Sequence, residues 1–176
     1  MRHLTQADYT RQPWKNGRGT TIQLLHLVDP ASGGTLLRLS RASVVEDGPF
    51  SLFPGIERNL TVLTGRGFRL TGPGLDVRCA PLVPVAFPGD IPVTASETGG
   101  QPSDDFNVMT ARHLPRPQVA LARNQPLEAG GRLALYALGP CQVNGIKVAP
   151  GDLVLTPGPV DLSGDGPVLA VRSFGV

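Results

Sequence analysis

The chain has 176 residues, of which 40% are hydrophobic and 17% are charged, and its formal net charge is +2. This balance is typical of a folded globular protein and excludes a disordered chain. The charge pattern argues against a nucleic-acid partner, because the longest basic group, Arg112, His113 and Arg116, is interrupted by Pro115 and has no interleaved aromatic residues.

The N-terminal segment and the cysteines indicate the cellular compartment. The N-terminal sequence MRHLTQADYTRQPW lacks the apolar core of a signal peptide. No apolar run approaches the roughly 20 residues that span a bilayer, so we expect no membrane partner. Cys79 and Cys141 share no short spacing and lie in separate strand-like runs. We therefore expect them to be free thiols, as is usual in a reducing compartment. We therefore expect a cytoplasmic protein.

Short β-rich runs bounded by Gly, Pro, Asn or Asp dominate the chain, and no window keeps a helical apolar period over three turns. The first predicted strands cover residues 20–28, 35–45, 59–65, 67–72, 75–80, 83–87 and 91–96. A second set follows residues 115–126 and covers residues 132–138, 145–157 and 167–174. Many short strands at this spacing predict an all-β protein with little helix, as a barrel or a sandwich.

The two sets of strands follow a similar order, and each includes a Gly-Asp or Pro-Gly element before its final strand. The segment GDLVLTPG (151–158) resembles the second motif of a cupin barrel, and FPGDIPV (87–93) is a compressed version of it. We therefore predict two small cupin-type β-barrels in tandem, a bicupin. The expected domains are residues 1–115, the first barrel with N-terminal strands, and residues 116–176, a smaller barrel completed by strands near the N-terminus.

The first motif of a metal-binding cupin supplies two histidines and a glutamate, which suit divalent transition metals. Counted back from the turn glycine Gly65, the glutamate position holds Arg58, and the histidine positions hold Phe53 and Ser51. None of these three side chains is a metal ligand of that kind. The first motif therefore predicts a barrel without a metal site.

The second motif and the remaining histidines give the same prediction. Candidate histidine positions there hold Pro92 in the first half and Val160 or Asp161 in the second. The chain's histidines stand far apart, with no paired spacing: His3, His26 and His113. We expect no metal and no cofactor.

Arg58 is the most informative of these replacements. In a strand, Arg58 shares a face with Leu60 and Val62, so it is expected to point into the barrel. A guanidinium stays charged at accessible pH, and an unpaired charge there would cost several kcal/mol. Two kinds of compensation remain open: a carboxylate of a bound ligand, held bidentately, or a carboxylate of the protein itself, with three candidates, Glu46, Asp47 and Asp105.

Three separated segments together resemble the HutD/Ves family, which consists of metal-free bicupins of the RmlC-like cupin superfamily. These segments are PWKNGRGTT (13–21), GPFSLFPGIERNLTVL (48–63) and DFNVM (105–109). The sequence departs from the family pattern at Arg18, where a glycine is usual. The resemblance implies binding of a small acid of histidine utilisation, such as formylglutamate or formate, with a regulatory role in that pathway.

The resemblance also implies which residues bind the acid. Arg58 would clamp the carboxylate, Trp14, Lys15 and Asn16 would form a rim or lid, and Asp105 and Asn107 would supply polar contacts. It also favours the face of the strand 35–45 that carries Arg38 and Ser40. The predicted ligand-binding residues are Trp14, Lys15, Asn16, Arg38, Ser40, Ser51, Arg58, Asp105 and Asn107.

Other functions and other roles for these residues remain open. A metal-independent isomerase, lyase or amide hydrolase would need Asp105 or Glu57 as its base, since the motifs contain no histidine. An interaction protein would lock Arg58 in an internal salt bridge and could form a homodimer through barrel edges. Asp105 could equally cap a turn, and Trp14 could be a packing residue. The sequence favours a binding protein over an enzyme.

Overall fold

The structure is a computed structural model, and it describes residues 1–13 and 19–176. Within these residues the chain is nearly all β, with one 3-10 turn at Gln6–Asp8 and no α-helix. None of the described segments forms a helix long and apolar enough to cross a bilayer. The all-β prediction is confirmed. The chain divides into two compact units, one of residues 10–113 and one of residues 1–9 with 114–176.

The strands are numbered in chain order. The first eleven are β1 (Arg2–Leu4), β2 (Thr10–Pro13), β3 (Thr20–Val28), β4 (Thr35–Val44), β5 (Gly48–Pro49), β6 (Ile56–Thr64), β7 (Phe68–Gly72), β8 (Leu75–Cys79), β9 (Val85–Pro88), β10 (Thr94–Ser96) and β11 (Ser103–Ala111). The remaining strands are β12 (Gln118–Ala122), β13 (Gln125–Leu127), β14 (Arg132–Ala137), β15 (Cys141–Val143), β16 (Ile146–Val148), β17 (Leu153–Thr156), β18 (Val160–Ser163) and β19 (Val168–Ser173).

The 10–113 unit contains two antiparallel sheets. The larger has the order β2-β3-β4-β11-β6-β9, and the smaller has the order β5-β10-β7-β8. Apolar side chains from both sheets form one buried cluster, with Leu60 and Val62 from β6 and Phe68 and Leu70 from β7. The cluster explains the alternation of β6, since the face that carries Leu60 and Val62 is the face that meets the second sheet.

Strand β11 lies at the centre of the larger sheet, between β4 and β6, although its sequence SDDFNVMTA does not read as a strand. Asp and Asn are depleted in strands because they favour turns. Here Asp105 and Asn107 lie two residues apart on one face of the strand, within an unbroken ladder to β4. The alternative that Asp105 caps a turn is therefore wrong.

The unit of residues 1–9 and 114–176 also contains two antiparallel sheets, β1-β17-β14-β19-β12 and β13-β18-β15-β16. A separate apolar cluster fills it, including Leu133, Leu135 and Val168. The N-terminal strand β1 pairs with β17, and the His3 ring lies 2.8 Å from the carboxylate of Asp152. The segment 1–9 is thus held to its unit by backbone pairing and by a side-chain contact.

Candidate functional site

A cavity of about 600 Å³ opens inside the 10–113 unit. Its wall combines one face of β4, β6 and β11 with the segment that follows β5. The lining residues are Gln12, Pro13, Thr21, Arg38, Ser40, Ala42, Val44, Pro49, Phe50, Ser51, Phe53, Arg58, Asp105, Asn107 and Met109. This volume falls in the range of small-molecule sites.

The register of the sheet explains why the polar side chains meet here. Met109 on β11 stands opposite Arg38 on one neighbouring strand and opposite Arg58 on the other. Two residues earlier, Asn107 stands opposite Ser40 and Leu60. Directly paired residues of antiparallel strands point to the same side. Two arginines are therefore brought to one face of the sheet from strands on either side of β11.

The guanidinium of Arg58 is enclosed by aromatic rings and by one neutral hydrogen-bond acceptor. The side chain is only 6% exposed. Its Cζ lies 5.2 Å from the ring centre of Phe50, 5.3 Å from that of Phe53 and 5.0 Å from that of Phe87. Its Nη2 donates a 2.8 Å hydrogen bond to Oδ1 of Asn107. Each ring contributes about 0.5–2 kcal/mol of attraction to the cation without removing its charge.

Arg58 has hydrogen-bonding capacity that the described residues do not use. Its buried Nε has no hydrogen-bond partner in residues 1–13 and 19–176. Among the ion pairs between described residues, none within 4.0 Å involves Arg58. Burial lowers the pKa of Arg58 to about 10, with Asp105 opposing this shift and Arg38 adding to it. At neutral pH the guanidinium is therefore charged, and no carboxylate of the described residues pairs with it directly.

Asp105 is linked to Arg58 through Asn107. The amide Nδ2 of Asn107 donates a short hydrogen bond to Oδ1 of Asp105, and Asp105 is only 1% exposed. Burial raises the pKa of Asp105 to about 7, and the nearby charge of Arg58 counteracts part of that rise. The carboxyl is therefore mixed between its neutral and ionised forms near pH 7. It offsets the Arg58 charge only in part.

Arg38 is a second cation in the same cavity, and neutral groups hold it. Its Nε donates to Oε1 of Gln23 and its Nη2 to Oε1 of Gln12, both at 3.2 Å. It is also part of the wall of a neighbouring cavity of about 280 Å³, together with His26. His26 contacts Thr35 Oγ1 at 2.9 Å, and burial, followed by the charge of Arg38, lowers its pKa. The two cavities share Arg38, so this guanidinium lies where they adjoin.

The positions where a metal-binding cupin would carry its first-motif ligands, Ser51, Phe53 and Arg58, all line the main cavity. In the described parts of the chain, no three His, Cys, Asp or Glu side chains come together as metal ligands would. Phe53 turns its ring toward Arg58. A ring and a cation therefore occupy the space that imidazole and carboxylate ligands would take.

Six of the nine predicted ligand-binding residues surround this one cavity: Arg38, Ser40, Ser51, Arg58, Asp105 and Asn107. The predictions for Trp14, Lys15 and Asn16, like that for Arg18, fall outside the described residues. Asp47, a candidate partner of Arg58, instead accepts hydrogen bonds from Thr98. Glu57, a candidate catalytic base, accepts a hydrogen bond from Arg112. Their sequence context alone did not reveal these partners.

Sequence reasoning missed three residues that line the main cavity, Gln12, Phe50 and Met109. It also missed two residues that contact the arginines of the cavity: Gln23 accepts a hydrogen bond from Arg38, and the ring of Phe87 lies against Arg58. The phenylalanines on either side of Ser51, in the run GPFSLF, offered a signal, since aromatic side chains around a buried cation are a recurrent arrangement. No comparable signal marks Phe87, which reaches Arg58 only because β9 pairs with β6.

Comparison with known proteins finds relatives of this chain in one sequence family. The sequence model of the HutD family matches residues 6–145. An uncharacterised 21.2 kDa protein from the region 3′ of hutC in Pseudomonas putida is 39% identical over 133 residues, which are 74% of this chain. The match covers 66% of that protein, slightly less than two thirds of its length.

Solved structures also resemble this chain. HutD from Pseudomonas fluorescens SBW25, in a formate condition, is 27% identical, with a TM-score of 0.85 and coverage of 99% of both chains. A cupin 2 conserved barrel domain protein from Leptotrichia buccalis has a TM-score of 0.57 at 10% identity, with coverage of 89% of both chains. The second likeness concerns the fold alone, and it confirms the prediction of a cupin fold.

Proposed function

The chain belongs to the HutD family, which is linked to histidine utilisation by genomic context, and from this premise we propose that it binds a small carboxylate metabolite through Arg58 without a metal. The expected ligand class is that of formylglutamate and formate. The proposed role is regulatory: the protein senses the level of an acid in the pathway. HutD of Pseudomonas fluorescens, which aligns along its whole length, was solved in a formate condition.

The observation that carries this proposal is how the protein surrounds Arg58. A buried guanidinium is normally neutralised by a carboxylate, because an unpaired buried charge is costly. Here the contacts that the described residues supply are three phenylalanine rings and one amide oxygen. Rings and amides lower the cost of burial but leave the charge in place. A ligand carboxylate that meets this guanidinium gains a charge-assisted hydrogen bond of about 1.5–3 kcal/mol.

Arg38 supports the same proposal. It lines the cavity, and its hydrogen bonds go to two glutamine side chains rather than to a carboxylate. Two guanidinium groups and one carboxyl with a pKa of about 7 give the cavity a positive charge at neutral pH. Such a cavity attracts anions, and the apolar rings exclude water from the contact.

The experiment is a thermal-shift comparison of wild type, Arg58→Met and Arg69→Met with formate, formylglutamate, urocanate and glutamate, in the presence of a chelator. Arg69 is a matched control because it is an arginine of the same unit that pairs on the surface with Asp76. A ligand at a hundred times its Kd adds about 2.7 kcal/mol to the free energy of unfolding. For a chain of this length, that raises Tm by about 5–10 °C.

We expect one acid to stabilise wild type and Arg69→Met, and to leave Arg58→Met unchanged. Circular dichroism of Arg58→Met should match wild type, since methionine fills the same apolar space. Equal stabilisation of Arg58→Met would show that another group binds the acid. A rise that requires added metal would contradict the metal-free site.

A second candidate function is metal-independent acid–base chemistry on the bound acid. The raised pKa of Asp105, about 7, favours it, because a general base works best when its pKa is near the working pH. Incubation of the same acids with wild type and Asp105→Asn, followed by proton NMR, tests it. Turnover by wild type that disappears in the variant would support an enzyme, and unchanged substrates across the panel would contradict it.

A further inference from the structure

The cavity holds one carboxyl group next to the proposed anion site, and the two are coupled through a single amide. Asn107 accepts a hydrogen bond from Arg58 and donates one to Asp105. These three side chains therefore form a relay from the cation to the carboxyl. Of the described residues that line the cavity, only Arg38, Arg58 and Asp105 are titratable acids or bases.

We infer that a carboxylate binds in this cavity together with a proton from solvent, which Asp105 takes up. The inference rests on the proposed function, because it concerns the same site. A carboxylate placed on Arg58 brings a second negative charge close to Asp105, and both of these side chains are buried. The attraction of Arg58 for Asp105 is then shared with the ligand, and two buried anions repel each other. Protonation of Asp105 removes that repulsion.

The other charged groups around the cavity have smaller effects on Asp105 than burial and Arg58 have. Arg58 faces it from β6, Arg41 and Arg38 lie on β4, and Asp104 is its neighbour on β11, while Cys79 lies on β8. Arg41 lowers the pKa of Asp105 and Asp104 raises it. The buried thiol of Cys79 has its own pKa raised to about 11, by burial first and then by Asp105, so it stays neutral. The pKa of Asp105 is therefore set mainly by burial and by Arg58.

Proton uptake by Asp105 fixes the direction in which carboxylate affinity changes with pH. The pKa of Asp105 in the free protein is about 7, so the group is largely ionised above that pH and must gain a proton when the anion binds. Affinity for a carboxylate should then fall as the pH rises, with a slope equal to the number of protons taken up. Deprotonation of Arg58 does not contribute to this pH dependence below pH 9, because the pKa of Arg58 is about 10.

The experiment measures the Kd of formate at fixed ionic strength from pH 6.0 to 8.5, by chemical-shift titration of the full chain. Formate is ionised across this range. Wild-type affinity should fall about tenfold from pH 6.0 to 8.5. Asp105→Asn mimics the protonated carboxyl and can still accept the hydrogen bond from Asn107. Its affinity should stay within about twofold across the range.

Asp104→Asn is the matched control, since it removes a carboxylate from the same strand without touching the relay. It should keep the fall in affinity. A wild-type Kd that is constant with pH, while Arg58→Met still abolishes formate binding, would overturn this inference and leave the proposed function standing. No formate or formylglutamate binding by wild type even at pH 6.0 would overturn both.

Discussion

Asn107 determines how much of the Arg58 charge a ligand would meet. Its amide separates the guanidinium from Asp105, with 2.8 Å between Nη2 of Arg58 and Oδ1 of Asn107. An aspartate at this position would pair directly with Arg58. The asparagine satisfies one guanidinium hydrogen and one carboxyl oxygen while it adds no charge. It therefore preserves an unneutralised cation in a buried place.

Asn107→Asp should convert the open clamp into an internal salt bridge. The new carboxylate would occupy the 2.8 Å contact with Arg58 and would compete with any bound anion. We expect carboxylate affinity to fall at least about tenfold, as measured by calorimetry at pH 7.5, because one close charge pair contributes about 1.5–3 kcal/mol. Asn107→Ser, which adds no charge, is the control. Unchanged affinity in Asn107→Asp would mean that Arg58 is not the anion site.

Asp105 should make the free energy of unfolding fall as the pH rises, whereas most aspartates make it rise. Its folded pKa, about 7, lies above the usual value for aspartate, so the folded state binds more protons than the unfolded state between about pH 4 and pH 7. The contribution of this group to stability is fullest below pH 4 and is lost as the pH rises through 7. Wild type should lose up to about 4 kcal/mol relative to Asp105→Asn over that window.

Urea unfolding at intervals from pH 4.5 to pH 8 measures this difference. Other aspartates whose pKa is lowered, such as Asp90 beside Arg112, act oppositely, and the comparison with Asp105→Asn cancels them. A difference between the two proteins that stays constant with pH would contradict the raised pKa.

Strand alternation was enough to predict the orientation of Arg58, because Leu60 and Val62 mark the buried face. The partners of Arg58 could not be predicted in the same way. Asn107 is 49 positions away in the chain, and Phe87 reaches the guanidinium through a strand pairing that periodicity does not encode. The choice between a protein carboxylate and an open clamp depends on these long-range contacts.

Strand β11 was not predicted from the sequence, because site residues interrupt the usual strand pattern. Strands β3 and β4 of the same sheet are predicted almost to the residue, because their runs of β-branched and apolar residues are bounded by turn residues. In β11 the positions that face the cavity are Asp105, Asn107 and Met109. Two of these three are polar, so the apolar alternation is lost where the site is built.

The tight turn between β6 and β7 connects the two sheets of this unit, and Gly67 lies in that turn. Gly67 has φ +74°, and an added Cβ would overlap the carbonyl oxygen of Cys79. Its backbone N–H also donates a 3.0 Å hydrogen bond to Ser103 Oγ at the start of β11. The turn therefore connects the strand that carries Arg58 to the strand that carries Asn107.

Gly67→Ala should destabilise the protein by more than about 2 kcal/mol, since it adds a steric clash to the cost of a positive φ. Gly74→Ala is a matched control: Gly74 has φ +68°, with nothing within 4 Å of an added Cβ. It should cost only about 1 kcal/mol. Urea denaturation of both variants measures the difference, and equal losses would indicate that positive φ alone, not the contact with Cys79, limits Gly67.

Across the whole molecule, the proposed function depends on one of the two units. Every described residue that lines the main cavity belongs to the 10–113 unit. The HutD family match, residues 6–145, covers all of that unit. The sequence predicted two sets of strands from the repeated order of turns. It did not reveal which short segments join which sheet, because β1 contributes only three residues and its pairing with β17 spans nearly the whole chain.

The central claim is that Arg58 binds a carboxylate directly, and its Nε–H group reports on that contact. This atom is buried and has no hydrogen-bond partner among the described residues. The most direct measurement is a ¹⁵N–¹H spectrum of the arginine side chains during titration with formate and with formylglutamate. The Arg58 signal is assigned by its absence in Arg58→Met, and chloride at equal ionic strength is the control. We predict a saturable shift of the Arg58 Nε–H signal with at least one of the two acids and none with chloride. An Arg58 signal that does not move, while other signals report binding, would contradict the account.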